Sequence, residues 1–218
     1  MTRIKICCIA SLEEAELAIR HGASALGLVS AMPSGPGVIP EERIAAIAAH
    51  VPPGVSSFLL TSELDVSAVI EQQRRCRVDT LQLCDALPDG AHRHLRNELP
   101  GVRIVQVIHV TGPEALEQAT HVAPDVHAIL LDSGNPGLAV KRLGGTGRLH
   151  DWTISRRIRE AVSVPIYLAG GLNAENVGEA IRAVRPFGVD ICSGVRTDGK
   201  LDETRLKAFV KAVGEAVL

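Results

Sequence analysis

The stretch Ile166-Tyr167-Leu168-Ala169-Gly170-Gly171-Leu172-Asn173, with the residues that follow from Ala174, decides the fold. Four apolar residues closed by a glycine pair read as a short buried strand, Ile166–Ala169. Asn173 is then placed to cap a helix, because its short side chain can accept from a backbone N–H that the first turn leaves free. Val177 and Ile181, four residues apart, give that helix an apolar stripe. Strand, glycine turn and amphipathic helix together make one βα unit.

Outward from this unit in both directions, the same alternation fills the chain. Strands are predicted near Ile4–Cys7, Ala25–Ser30, Val55–Leu60, Thr80–Leu83, Ile104–Val110, Ala128–Asp132, Ile166–Ala169 and Val189–Ser193. Helices are predicted to begin near Leu12, Pro40, Asp65, Gly90, Pro113, Thr153, Ala174 and Glu203. Eight strand–helix repeats are the pattern that closes into a parallel barrel, so the expected fold class is α/β, a (β/α)8 TIM barrel in a single domain over 1–218. An open doubly wound sheet suits the length of 218 residues as well, but the count of eight units favours the barrel. Ser11-x-x-Glu14 and Thr111-x-x-Glu114 have the form of capping boxes at two helix starts. Leu206, Phe209, Val210, Val213 and Val217 fall on one face of the last helix, as packing against a barrel wall requires.

Composition narrows the partners. Hydrophobic residues make up 46% and charged residues 22%, enough apolar surface for a large core. The net charge of −2 offers no attraction to nucleic acid or to an anionic membrane. One Trp, one Tyr and three Phe are too few for base-stacking platforms. The opening Met1-Thr2-Arg3-Ile4-Lys5-Ile6-Cys7-Cys8-Ile9-Ala10 has an apolar run too short for a secretory signal, and no run reaches the roughly 18 apolar residues of a membrane span. Five cysteines suit neither a disulfide framework nor a zinc site. The expectation is a cytoplasmic protein with reduced thiols and no partner in nucleic acid or membrane. No metal is expected, because the eight His show no ligand spacing and His92-x-His94 is assigned to a solvated helix.

In a parallel barrel the chemistry sits at the C-terminal ends of the strands. Alternation on the first strand places Ile4, Ile6 and Cys8 towards the helices and Lys5 and Cys7 inward. A buried ammonium requires a partner. Cys7 reads either as a small buried hydrophobe or as a thiolate beside Lys5 at the barrel mouth. Cys8 and Cys76 read as structural, while Cys84 and Cys192 read as structural or as lining the mouth. Asp132 ends an apolar strand and either caps the next loop or is a general acid whose proton burial retains. Gly144-Gly145-Thr146-Gly147, Gly170-Gly171-Leu172-Asn173 and Ser193-Gly194-Val195 follow the last three strands, where barrels often bind phosphate on backbone N–H groups.

These residues closely resemble the conserved blocks of the phosphoribosylanthranilate isomerase family. The blocks are Lys5-Ile6-Cys7, Leu130-Leu131-Asp132-Ser133, Gly144-Gly145-Thr146-Gly147 with Asp151-Trp152, Leu168-Ala169-Gly170-Gly171-Leu172-Asn173 with Glu175-Asn176-Val177, and Gly188-Val189-Asp190 with Ser193-Gly194-Val195. The resemblance spans the chain and implies a (β/α)8 barrel of tryptophan biosynthesis that performs an Amadori rearrangement without metal or organic cofactor. It implies Asp132 as general acid, Cys7 as general base, and a small phosphorylated substrate. The phosphate would lie on Gly145, Gly147, Gly171, Ser193 and Gly194, the ribose on Asp190, with Lys5 also at the substrate site. The assembly would be a monomer or a homodimer. The chain departs from the family pattern in four places. Gly37 stands where the family carries the Arg that engages the anthranilate carboxylate, and Cys8-Ile9-Ala10 stands for Gly-Ile-Thr. Cys84-Asp85 replaces a His-Gly pair, and Arg196 replaces Glu. Arg142, Arg148 and Arg196 are the candidates to replace the lost charge. The same residues also fit two other functions: a paralogous isomerase of another phosphorylated aminosugar, and a non-catalytic barrel that binds a phosphorylated ligand.

Overall fold

All eight predicted strands form, and they close on one another. The computed structural model describes residues 1–134, 137, 141, 143 and 150–216. In chain order these are β1 (Arg3–Ile6), α1 (Leu12–Arg20), β2 (Ala25–Val29), α2 (Glu41–Ala48), β3 (Ser56–Thr61), α3 (Val66–Cys76), β4 (Thr80–Leu83) and α4 (Ala91–Glu98). There follow β5 (Arg103–His109), α5 (Ala115–Val122), β6 (Ala128–Asp132), α6 (Trp152–Ala161), β7 (Ile166–Leu168), α7 (Val177–Val184), β8 (Gly188–Ile191) and α8 (Glu203–Glu215). Each of the eight strands pairs in parallel with the next, and β1 pairs with β8, so the sheet is a closed barrel. The chain is a (β/α)8 barrel. Among the described residues no helix is long and apolar enough to cross a membrane.

The two faces of each strand separate into two apolar layers, as a period of two requires. Ile4 and Ile6, Leu26 and Leu28, Leu81 and Leu83, and Ile129 and Leu131 belong to the layer between barrel and helices, with Ile44, Val69, Leu95 and Phe209. Ala25, Phe58, Val105, Val107, Leu130 and Tyr167 form a second cluster inside the barrel. Phe58, Tyr167 and Phe187 stack edge to face in series, at 5.9 and 5.5 Å between ring centroids, and fill the end at which the strands begin. The other end stays open.

Local expectations survive unevenly. Ser11 Oγ accepts from the Glu14 N–H at 3.3 Å, but the Glu14 carboxylate passes Ser11 by and accepts from the N–H groups of Ala10 and Leu201, at 3.0 and 2.9 Å. Half of that capping box is therefore replaced by a longer-range tie. Thr111-x-x-Glu114 is not a capping box: Thr111 Oγ1 donates to the Glu114 carboxylate at 2.7 Å, and α5 starts only at Ala115. Asn173 Oδ1 accepts from the N–H groups of Glu175 and Asn176 at 2.8 and 3.0 Å, capping a turn that leads into α7 rather than α7 itself. His92 is not solvated. It shares a face of α4 with Ala91 and Leu95, lies buried, and meets Gln106 Oε1 of β5 at 2.8 Å.

A hairpin near the end of the chain has no counterpart in the predicted series. Between β8 and α8 the chain makes a small antiparallel hairpin, β9 (Arg196–Thr197) and β10 (Lys200–Leu201). Asp198 and Gly199 form its tip, both in the left-handed region at φ 51° and 77°, the conformation that a two-residue hairpin loop demands.

On α8, Leu206, Phe209 and Val213 are buried as the stripe predicts, Val210 is half-buried, and Val217 lies outside the described residues. Phe209 has no exposed surface. Phe209→Ala should lower the free energy of unfolding by about 3–5 kcal/mol. Phe209→Leu, which refills most of the volume, should cost clearly less. Urea unfolding of the two variants checks the ordering.

Candidate active site

The first strand turns a lysine into the barrel. Lys5 has no solvent exposure, and the parallel register sets it directly beside Asp190 of β8. Its Nζ donates to Asp190 Oδ1 at 2.9 Å and lies 5.2 Å from the centre of the Phe58 ring. Burial alone would strip the charge from this amine. The Asp190 carboxylate, with smaller contributions from Cys7 and Cys84, offsets that and holds the Lys5 pKa above the ordinary lysine value. Lys5 is thus a charge built into the floor beneath the open end.

Cys7 comes immediately after β1, its N–H bonded to the Ile191 carbonyl at 2.8 Å. Asp132 is the last residue of β6 and is buried. Its Oδ1 accepts from the Ser133 N–H at 2.7 Å. Burial raises the Asp132 pKa above the usual carboxyl range, and the charge of Asp190 adds to this; the Ser133 N–H and His109 pull in the opposite direction without cancelling it.

Cys7, Asp132, Asp190, Gly171 and Ser193 line one cavity at the C-terminal ends of the strands. Its space, counting the open mouth, is about 700 Å³, enough for a small ligand. Lys5 does not line the cavity, but its hydrogen-bond partner Asp190 does. Gly194 lies against the neighbouring loop, where a Cβ would stand 2.3 Å from the Leu172 carbonyl oxygen, so the turns after β7 and β8 touch backbone to backbone. Gly145 and Gly147 lie outside the described residues, as do Arg142 and Arg148. Cys84 and Cys192 line the mouth, the second of their two predicted readings, and Cys76 is buried on α3.

Cys8 departs from its predicted place. Strand alternation ends at Ile6, and Cys8 takes a left-handed conformation at φ 62° that swings its thiol into the cavity wall instead of towards the helices. There it occupies the space in front of Gly37. A Cβ on Gly37, itself at φ +83°, would stand 2.5 Å from the Cys8 Cβ, so the two departures from the family pattern meet in space. Arg196 is not available to a ligand's carboxylate either. Its guanidinium donates to Glu14 at 3.0 and 3.1 Å, to the Cys8 carbonyl at 2.6 Å and to the Cys7 carbonyl at 3.2 Å.

Gln82 is a lining residue that the reading of the sequence passed over. It is buried on β4 between Leu81 and Leu83, which face the helices, and among the described residues its Oε1 has no hydrogen-bond partner. An amide at an inward position of an apolar strand was the available signal. Around the rim, Ser34 Oγ donates to the Lys141 carbonyl at 2.6 Å and the Lys141 ammonium pairs with Asp85. The loop after β6 is thereby tied to those after β2 and β4.

Residues 4–212 match the family model described as N-(5′-phosphoribosyl)anthranilate (PRA) isomerase. The chain is 36% identical over 214 residues to the N-(5′-phosphoribosyl)anthranilate isomerase of Methanocella arvoryzae, with 98% of each chain covered. It is 37% identical over 218 residues to that of Haloferax volcanii, covering 99% of this chain and 95% of the relative. Among solved structures it superposes on the phosphoribosyl anthranilate isomerase of Thermotoga maritima with a TM-score of 0.84 at 30% identity, covering 98% and 99% of the two chains. A phosphoribosyl anthranilate isomerase in complex with reduced 1-(o-carboxyphenylamino)-1-deoxyribulose 5-phosphate gives 0.81 at 29% identity, covering 98% and 100%.

The buried pair makes a direct prediction. Asp190→Asn removes the counter-charge of a fully buried ammonium and should destabilise the fold by about 3–5 kcal/mol. Replacing both partners, as Lys5→Met with Asp190→Leu, should recover most of that loss, because no charge then remains to be desolvated. Urea unfolding of both variants measures the difference.

Proposed function

We propose, for a chain that belongs to the N-(5′-phosphoribosyl)anthranilate isomerase family, that Cys7 and Asp132 are the base and acid of its reaction. The chain is an isomerase of the aldose–ketose class. What supports the assignment of these two residues is that a thiol from the end of β1 and a carboxyl from the end of β6 line the same cavity.

The substrate is N-(5′-phosphoribosyl)anthranilate. Asp132, whose pKa burial raises, gives its proton to the ribose ring oxygen as the C1′–O bond breaks, and the open form is a Schiff base. Cys7, as general base, removes the C2′ proton and leaves an enolamine. Tautomerisation returns a proton to C1′ as the C2′ hydroxyl loses one, so the product is the isomeric 1-(2-carboxyphenylamino)-1-deoxyribulose 5-phosphate. Asp190 holds the ribose. The phosphate lies on the turns of Gly171, Ser193 and Gly194, with Gly145 and Gly147 completing its site. Anchoring at the phosphate keeps C1′ and C2′ in register between acid and base.

Turnover of N-(5′-phosphoribosyl)anthranilate by the purified protein is the primary test. Cys7→Ser should retain the fold and lower kcat by about 10²–10⁴-fold, and wild-type turnover would remove Cys7 from the mechanism. Asp132→Asn should abolish conversion of the cyclic substrate. Because burial raises the pKa of Asp132, the loss of its proton should appear in the pH profile as a decline of kcat/KM at values above the ordinary carboxyl range. A decline centred near pH 4 would place the acid elsewhere.

A further inference from the structure

Three positions at which the chain leaves its family's pattern, Cys8, Gly37 and Arg196, converge on one thiol pair in the cavity wall. Cys8 and Cys192, from the loops after β1 and β8, stand with their Sγ atoms 2.7 Å apart. Neither is in a disulfide. Gly37 leaves the room: a Cβ there would lie 2.5 Å from the Cys8 Cβ and 2.9 Å from both its Cα and its Sγ, so a side chain at 37 does not fit against residue 8 in this conformation. Arg196 fixes the backbone beneath. It binds the carbonyls of Cys7 and Cys8 and is itself held by Glu14.

The two sulfurs are unlike in character. The hydrogen bond to Cys8 holds Cys192 below the ordinary thiol value, and the nearby Arg196 guanidinium reinforces this against burial. Cys8 is pushed up by the same bond, by its hydrogen bond with Cys7 and by burial. Cys192 is also the more exposed of the two. A more exposed sulfur with a lowered pKa, in contact with a more buried one, is the arrangement of an attacking and a resolving cysteine.

We propose that Cys8 and Cys192 are a reversible disulfide site in the mouth of the barrel, oxidised by a hydroperoxide small enough to enter the cavity. The Cys192 thiolate attacks one oxygen of hydrogen peroxide. The O–O bond breaks, Cys192 becomes a sulfenic acid, and the departing hydroxide takes a proton from solvent. The Cys8 sulfur then attacks the Cys192 sulfur. An S–S bond forms, the S–O bond breaks, and the hydroxyl leaves as water with the Cys8 proton. Two thiols have lost two electrons and the peroxide has gained them. A small dithiol reverses the bond by exchange. This chemistry uses no substrate carbon, so a protein lacking isomerase activity would still form the bond.

The test uses the full, reduced protein exposed to hydrogen peroxide, followed by alkylation of the remaining thiols and mass spectrometry. Of the five cysteines, three should remain alkylatable, the protein should lose two hydrogens, and dithiothreitol should restore all five. Fragmentation of the linked peptides should join Cys192 to Cys8 rather than to the adjacent Cys7. Cys8→Ser should abolish the link and Cys7→Ser should retain it. Five alkylatable thiols after treatment, oxidation of a single cysteine to sulfinic acid, or a link through Cys7 would each overturn the proposal. The wild-type peptide map decides even if a variant folds poorly.

Discussion

Lys5 carries a full ammonium where no solvent reaches it, 2.9 Å from Asp190, across the seam at which the first strand meets the last. A charge in that position is tolerable only with a counter-charge of fixed geometry. The parallel register supplies it, because Lys5 and Asp190 are direct partners on adjacent strands and both turn inward. Slipping either strand by one residue would send one of the two into the apolar layer beneath the helices. The pair is a demanding condition on closure of the barrel. It also settles the electrostatics of the cavity floor, since Asp190 lines the cavity and Lys5 does not.

Departures from the family pattern look unrelated when read along the chain. In three dimensions several of them share one cause. The left-handed turn at Cys8 presents its thiol to Gly37 and Cys192, and Arg196 holds the carbonyls of that same turn while Glu14 holds Arg196. Glu14 in turn binds the N–H of Leu201, so the β9–β10 hairpin is tied to the N-terminus of α1. Residue 8, in its left-handed turn, leaves no room for a side chain at 37, and the cation at 196 pairs with the carboxylate at 14.

The barrel could be read from the sequence because period-two apolar runs and period-3.6 stripes are local properties, and eight repeats of them constrain the topology. Thr80–Leu83 and Ala128–Asp132 agree in both bounds. What could not be read depends on contacts distant in sequence. Glu14 looked like a capping residue, yet it also serves a backbone group 187 positions away. His92 looked solvated because its neighbours are polar, but its helix turns it onto Gln106. Inward placement of Lys5 and Cys7 followed from alternation, while that of Cys8 did not, because a single positive φ ends the alternation. The Asp198-Gly199 hairpin was legible in principle, but strands of two residues carry no periodicity to detect.

On the proposed function, the mode of anion binding at the open end follows from where the cations go. Of the charged side chains that approach the cavity among the described residues, Lys5 is neutralised by Asp190, Arg196 by Glu14 and Lys141 by Asp85. On the proposed function, a phosphate entering between the late loops would meet none of these three cations free and would rely on backbone N–H groups among the described residues. Backbone donors work only at close range, and close range demands turns without side chains in the way. At 194 the turn after β8 packs directly on the turn after β7, where a Cβ would stand 2.3 Å from the Leu172 carbonyl oxygen, while Gly171 lines the cavity at φ 65°. A phosphate held in this way is bound without placing a strong positive field beside Asp132. Such a field would lower the pKa of the proposed acid and remove the proton on which ring opening depends.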